Sequence, residues 1–362
     1  MAEMPNKSQP VFGGLYQQTK KVYEGMNISS REIVAIKKVS WEKLEKQPRY
    51  IERHKNQLRN ELAAMQTLNH PNIVRLLHHQ NTPKYFVMVL EFCAGGDLAS
   101  ALRKRKLQTK NETIDENLAC RLTKQLADGL KEMRVLNWVH RDLKPGNLLL
   151  SCERLEDATL KIGDFGFATR LKSESLAQTW VGSPLYMAPE ILTKESGGYD
   201  AKADLWSVGC ILFEMVKGRQ PYGSSARDPE ELKQDIRSDN KYQPEPPILL
   251  SDELESLLDA LLQRVPAQRM SYDEFFEHIW FDMLESNSLP NSVSTKMLGL
   301  MESTTQEQTG ETAENHFTAS KLRASANSDK AISHLISEIM SPTANQVDTK
   351  VKSKVEKRDS DI

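Results

Sequence analysis

Val139-His-Arg-Asp-Leu-Lys-Pro-Gly-Asn-Leu-Leu-Leu150, followed by Leu160-Lys-Ile-Gly-Asp-Phe-Gly166, decides how this chain is read. The two strings set the oxygen donors Asp142, Asn147 and Asp164 beside short apolar frames, Leu148–Leu150 and Leu160–Ile162. A single Asp or Asn in a loop is more often a turn former or a helix cap. Three of them at these spacings, each with its own strand-like frame, leave little room for that ordinary role. Upstream stand Val34-Ala-Ile-Lys37 and Glu61. Downstream come Gly182-Ser-Pro-Leu-Tyr-Met-Ala-Pro-Glu190 and Tyr199-Asp-Ala-Lys-Ala-Asp-Leu-Trp-Ser-Val-Gly209.

The chain has 362 residues, 39% of them hydrophobic, which is enough for a large core and for more than one. A net charge of -2 gives no general reason to expect nucleic-acid binding. Cys93, Cys120, Cys152 and Cys210 form no Cys-x-x-Cys pair, which argues against a zinc site or disulfide framework and fits a reducing cytosol. The N-terminus lacks the apolar run of a secretion signal, and no stretch reaches the ~18 apolar residues of a membrane span. Cys210-Ile-Leu-Phe-Glu-Met-Val216 is interrupted by Glu214 and reads as a buried helix. A soluble, cytoplasmic protein is expected.

The β-branched run Ile33–Val39 and the apolar run Tyr85–Leu90 read as strands of a small lobe. Between them, Arg49–Leu68 carries Leu58, Leu62, Met65 and Leu68 at helical spacing, ended by Asn69-His-Pro-Asn72. From Asp97 onward the pattern is helical, clearest over Asn117–Val135, Ala203–Lys217 and Leu250–Leu262, the last opened by Ser251 as N-cap. Trp280-Phe281 closes this larger lobe. From 285 to 362 the composition turns to Ser, Thr, Asn, Gln, Glu and Lys, and such a segment buries too little apolar surface to offset chain entropy. It reads as a disordered tail with one amphipathic helix at 331–340, where Ile332, Leu335, Ile336 and Ile339 share a face.

Together these motifs resemble the protein-kinase signature set. The resemblance implies an α+β, two-lobed fold over 22–284, with a β-rich N-lobe to about 93 and a helical C-lobe over 94–284. It implies ATP and Mg²⁺ as cofactors and protein Ser/Thr hydroxyls as acceptors. Lys37 would reach the α- and β-phosphates, held by Glu61 rather than by its rival Glu52. Asp142 would be the catalytic base, and Asn147 and Asp164 the metal ligands. Backbone groups of Glu91 and Cys93 would meet the adenine edge. Asp97 would meet a ribose hydroxyl or cap a helix, and Leu149 joins the nucleotide-binding set. Lys144 followed by Gly182-Ser-Pro resembles serine/threonine rather than tyrosine kinases, with Ser183 tying Lys144 to Asp142. Asp204 would brace the catalytic loop, and Glu190 would pair with Arg269. Among Ser173, Ser175 and Thr179, Thr179 is the expected phosphoswitch, paired with Arg141.

Within that family, Phe167 after Asp-Phe-Gly and the Tyr199–Gly209 string resemble the autophagy-initiating, ULK-type kinases. This implies a cytoplasmic role in autophagy initiation or nutrient and stress signalling, with autophagy scaffold proteins as partners and recruitment to autophagosome precursor membranes. The short tail fits a truncated member. One part departs from the pattern. The three glycines of the phosphate loop should stand at positions 15, 17 and 20, where Leu15, Gln17 and Lys20 occur instead. Backbone amides that approach phosphates closely need glycine. Residues 1–21 are therefore an atypical segment with three readings: weakened ATP binding, a pseudokinase scaffold, or a first exon foreign to the domain. The abrupt onset of resemblance after Lys21 favours the third.

Overall fold

β-Branched residues favour extended backbone, and the run at 33–39 forms the centre of an antiparallel sheet. In this computed structural model the described residues are 21–46, 48, 50–109, 113–170, 183–193, 200–223, 229–238, 250–282 and 284. The sheet is ordered β1 (Lys21–Met26), β2 (Ile33–Ser40), β4 (Tyr85–Glu91), β3 (Leu76–Asn81). Val34 and Ile36 of β2 pack with Val87 and Val89 of β4 under Tyr23 and Tyr85. Trp41 closes the neighbouring corner, its indole donating to Asn81 Oδ1 and the Thr82 carbonyl, both at 3.1 Å.

The described chain divides into two compact units. The four-stranded sheet belongs to one; Lys43–Arg75 and the described residues from Cys93 onward form the other. The long helix of the first third falls in the second of these units.

Short helix α1 spans Trp41–Glu45, and α2 spans Ile51–Thr67. α2 buries Leu58, Ala64 and Met65 as well as Glu61, and Leu68 is buried just past its end. Leu62, expected on the core stripe, is only half-buried; Ala64 takes the innermost place. The next elements are β5 (Gly96–Asp97), α3 (Leu98–Thr109), α4 (Glu116–Val135) and β6 (Trp138–Val139). β7 (Leu148–Leu150), β8 (Leu160–Ile162) and β9 (Thr169–Arg170) follow. They form the small sheets β5-β7-β8 and β6-β9, all antiparallel.

The remaining helices are α5 (Pro189–Thr193), α6 (Lys202–Lys217), α7 (Pro229–Arg237), α8 (Asp252–Leu261) and α9 (Tyr272–Phe276). The hydroxyl of Ser251 accepts from Leu254 N and caps α8, as its sequence position suggests. α6 is buried along nearly its whole length and ends at Gly218, whose φ of 73° lies in the left-handed region open to glycine. Around it, Trp206 and Cys210 pack with Met187, Leu192, Tyr222, Leu232 and Leu262.

The end of this unit is joined through one carboxylate. Glu116 at the start of α4 accepts from the Trp280 indole at 2.8 Å, from Ser251 N at 3.1 Å and from the Ser251 hydroxyl. Nearby, Cys120 Sγ lies 3.4 Å from the Trp280 carbonyl, and burial pushes its thiol up to about 12, so it stays a proton donor. No helix among the described residues is long and apolar enough to cross a membrane.

Candidate active site

The loop between β6 and β7 is fixed first through its backbone. Asp204, in the first turn of α6, is buried and accepts from His140 N at 2.8 Å and Arg141 N at 2.9 Å. Arg141 has a φ of 67°, a conformation a non-glycine residue keeps only when its surroundings enforce it. Its side chain reaches across to donate from Nε to the Phe167 carbonyl at 2.7 Å. His140 is fully buried between two partners: Nδ1 accepts from Asp142 N at 3.3 Å, so Nε2–H donates to the Gly163 carbonyl at 3.0 Å. The catalytic-loop candidate and the Asp164 segment are thereby held to each other.

Asp142 sits at the centre and is 5% exposed, so its carboxylate is placed by hydrogen bonds rather than by bulk water. Lys144 Nζ donates to Asp142 Oδ2 at 2.7 Å and to Ser183 Oγ at 2.7 Å. The Ser183 hydroxyl in turn donates to Asp142 Oδ1 at 2.9 Å. This triangle is the tie expected of Ser183. Asn147, buried in the 3-10 turn Pro145–Asn147, donates through Nδ2 to the Asp142 carbonyl at 2.7 Å and to Oδ2 at 3.0 Å. Those bonds use the amide nitrogen and do not involve Oδ1.

Asp164 stands at the start of the 3-10 turn Phe165–Phe167, with φ 53° and ψ 68°, and its side chain is exposed. Gly163 N donates to the Asn147 carbonyl at 2.9 Å, which makes Asn147 and the residue before Asp164 hydrogen-bonded neighbours. Two hard oxygen donors, one neutral and one anionic, suit a magnesium ion that keeps waters and phosphates as its other ligands. Among the described residues no group of three His, Cys, Asp or Glu side chains could hold a metal.

Lys37 is buried in the middle of β2, opposite Met88, while Glu61 is 1% exposed on α2 of the other unit. Glu91 ends β4 opposite Val34, and Cys93 begins the later stretch of the other unit, its carbonyl accepting from Gly96 N. Asp97 does the capping job: Oδ1 accepts from Ser100 N and Oδ2 from the Ser100 hydroxyl, each at 2.8 Å. Leu149 lies between Asp97 of β5 and Lys161 of β8. Glu190 and Arg269 form a buried bidentate pair at 2.8 and 2.9 Å. Thr179, the positions 15, 17 and 20 and the helix at 331–340 lie outside the described residues.

Sequence reasoning missed the Arg141–Phe167 bond and the role of Tyr186. The Tyr186 hydroxyl donates to Glu214 Oε2 at 2.6 Å, and its carbonyl accepts from Ser207 Oγ at 2.7 Å. Burial pushes both the Tyr186 hydroxyl and the Glu214 carboxyl up. The polar Glu214 inside the apolar string Cys210–Val216 was the available signal.

The family described as Protein kinase domain matches residues 18–281. Among curated proteins, the chain is 41% identical over 257 residues to Serine/threonine-protein kinase ATG1b of Arabidopsis thaliana, covering 71% of this chain and 34% of that protein. It is 38% identical over 276 residues to Serine/threonine-protein kinase ULK3 of Xenopus laevis (76% and 55%). With Serine/threonine-protein kinase atg1 of Dictyostelium discoideum it shares 41% over 272 residues (74% and 38%). The chain thus spans 34% to 55% of the length of these relatives.

Proposed function

The chain belongs to the protein kinase family, and from that premise we propose that it is an ATP- and Mg²⁺-dependent serine/threonine kinase acting in autophagy initiation. The observation that carries the reading is the closed contact set of Asp142, Lys144, Asn147 and Ser183. In the proposed reaction the acceptor hydroxyl is oriented by Asp142, which takes its proton as the new O–P bond forms and the bond from the γ-phosphorus to ADP breaks. Lys144 steadies the transferred phosphoryl group, and Ser183 keeps that lysine within 2.7 Å of the base. Asn147 Oδ1 and the Asp164 carboxylate would hold Mg²⁺, which supplies charge neutralisation at the phosphates. Lys37 and Glu61 are assigned to the nucleotide by the family resemblance.

Serine and threonine acceptors are supported by Lys144 and Ser183, and by the names of the similar proteins. The autophagy assignment, with scaffold proteins as partners and a cytoplasmic setting, is supported by the likeness to relatives named ATG1 and ULK3. A pseudokinase scaffold is the second reading, favoured by Leu15, Gln17 and Lys20 where glycines are expected. Radiolabelled phosphate transfer from ATP to a generic Ser/Thr protein substrate separates the two. The wild-type chain should label the substrate and Asp142→Asn should not. Equal incorporation by both would remove the enzyme reading.

A further inference from the structure

Trp138 lies in β6, immediately before the segment that carries His140, Arg141 and Asp142, and is 4% exposed. A buried indole N–H needs an acceptor. It finds one in the Thr67 hydroxyl at 3.1 Å, in the last turn of α2. Thr67 Oγ1 is itself anchored, donating back to the Ala63 carbonyl at 3.0 Å, with the Ala64 carbonyl at 3.1 Å. On its other side Trp138 pairs with Arg170 of β9, and the Arg170 guanidinium lies 5.3 Å from the indole ring. α2 also packs against the 3-10 turn Phe165–Phe167 that follows Asp164.

One side chain therefore touches the end of α2, the strand after Asp164 and, through its own backbone, the loop holding Asp142. We propose that Trp138 is a positioning residue that clamps these three segments in one register. The proposal rests on the phosphotransfer reading above for its catalytic consequence. A leucine or isoleucine would fill part of the same space, but it would offer neither an N–H for Thr67 nor an aromatic face for Arg170. The clamp ties α2, the helix that carries Glu61, to the loop that carries Asp142, and all of its members lie within one unit.

The test uses the full chain with Thr67→Val, Trp138→Phe, their double variant and Thr67→Ser. Each is assayed for kcat and KM with a protein substrate, and for amide hydrogen exchange in peptides spanning 60–68 and 165–170. Losing a hydrogen bond of ordinary net strength should lower kcat about three- to tenfold in each single variant, with KM for the protein substrate unchanged and faster exchange in both peptides. The double variant should be no worse than the weaker single, because both remove the same bond, and Thr67→Ser should retain wild-type values. Wild-type exchange in Thr67→Val and Trp138→Phe, or effects that simply add in the double variant, would overturn the clamp. If the wild-type chain transfers no phosphate, the phosphotransfer reading falls while exchange still decides the clamp. If Trp138→Phe does not fold, Thr67→Val alone decides it, since Thr67 is exposed on its helix.

Discussion

Asp204→Asn isolates the support beneath the catalytic loop. The wild-type carboxylate, 1% exposed, accepts from two backbone amides, His140 N at 2.8 Å and Arg141 N at 2.9 Å. Asparagine keeps the shape but has one acceptor oxygen, so one amide keeps a neutral bond and the other faces an NH₂ group. A hydrogen bond to a charged acceptor is worth about 1.5–3 kcal/mol, and a buried donor left unsatisfied costs about 1–3 kcal/mol. The loss should total roughly 2–5 kcal/mol. At about 2–4 °C per kcal/mol for a domain of this size, the thermal midpoint should fall by about 5–20 °C. Catalysis should suffer independently. Arg141 is held at φ 67°, a conformation costing about 1–3 kcal/mol outside glycine, and weakening its anchor lets it relax. A shift of about 1 Å at the adjoining Asp142 would lower kcat on the order of 100-fold. Calorimetry and steady-state phosphotransfer measure the two effects. A midpoint within about 2 °C of wild type, corresponding to under about 1 kcal/mol, together with unchanged kcat, would show that neither amide depends on this carboxylate.

Gly129→Ala in α4 should destabilise by about 1–3 kcal/mol in urea unfolding, although alanine is the better helix former by about 1 kcal/mol. The added Cβ would lie 2.9 Å from the Asn72 carbonyl oxygen, a backbone atom with little room to yield. Glu214→Gln should change how the thermal midpoint depends on pH. Burial raises the folded-state value of Glu214 above 4.5, so between 4.5 and that higher value the folded chain holds a proton the unfolded chain has released. This contribution to stability therefore falls as pH rises through the window, and the variant should lack that part of the slope.

The strands and helices were legible because their apolar periodicity is local. Ile33–Val39, Asn117–Val135 and Leu250–Leu262 lie within a residue or two of β2, α4 and α8. The Asp142, Lys144 and Asn147 positions were legible because spacing within one loop carries their geometry. What spacing could not show is any bond that depends on tertiary placement. The Trp138–Thr67 and Trp280–Glu116 contacts join residues 71 and 164 positions apart, and neither residue type announces its partner. Leu62 illustrates the converse: helical periodicity put it on the core stripe, but the innermost position went to Ala64, whose small side chain allows closer approach. Asp97 could be read as a ribose ligand or a cap, and only its two contacts with Ser100 show the capping.

The carboxylate of Glu116 has a practical consequence for anyone preparing a shorter protein. It gathers the start of α4, the cap residue of α8 and the indole of Trp280 at a single point. A fragment cut before residue 280 would lose a fully buried tryptophan and open the space it fills. Burying or exposing an aromatic group of that size is worth about 3–5 kcal/mol. The loss would reach α8 through Ser251, a helix distant in sequence from the cut. A fragment retaining Ile279–Asp282 keeps that closure intact, so the useful limit for expression lies beyond Asp282.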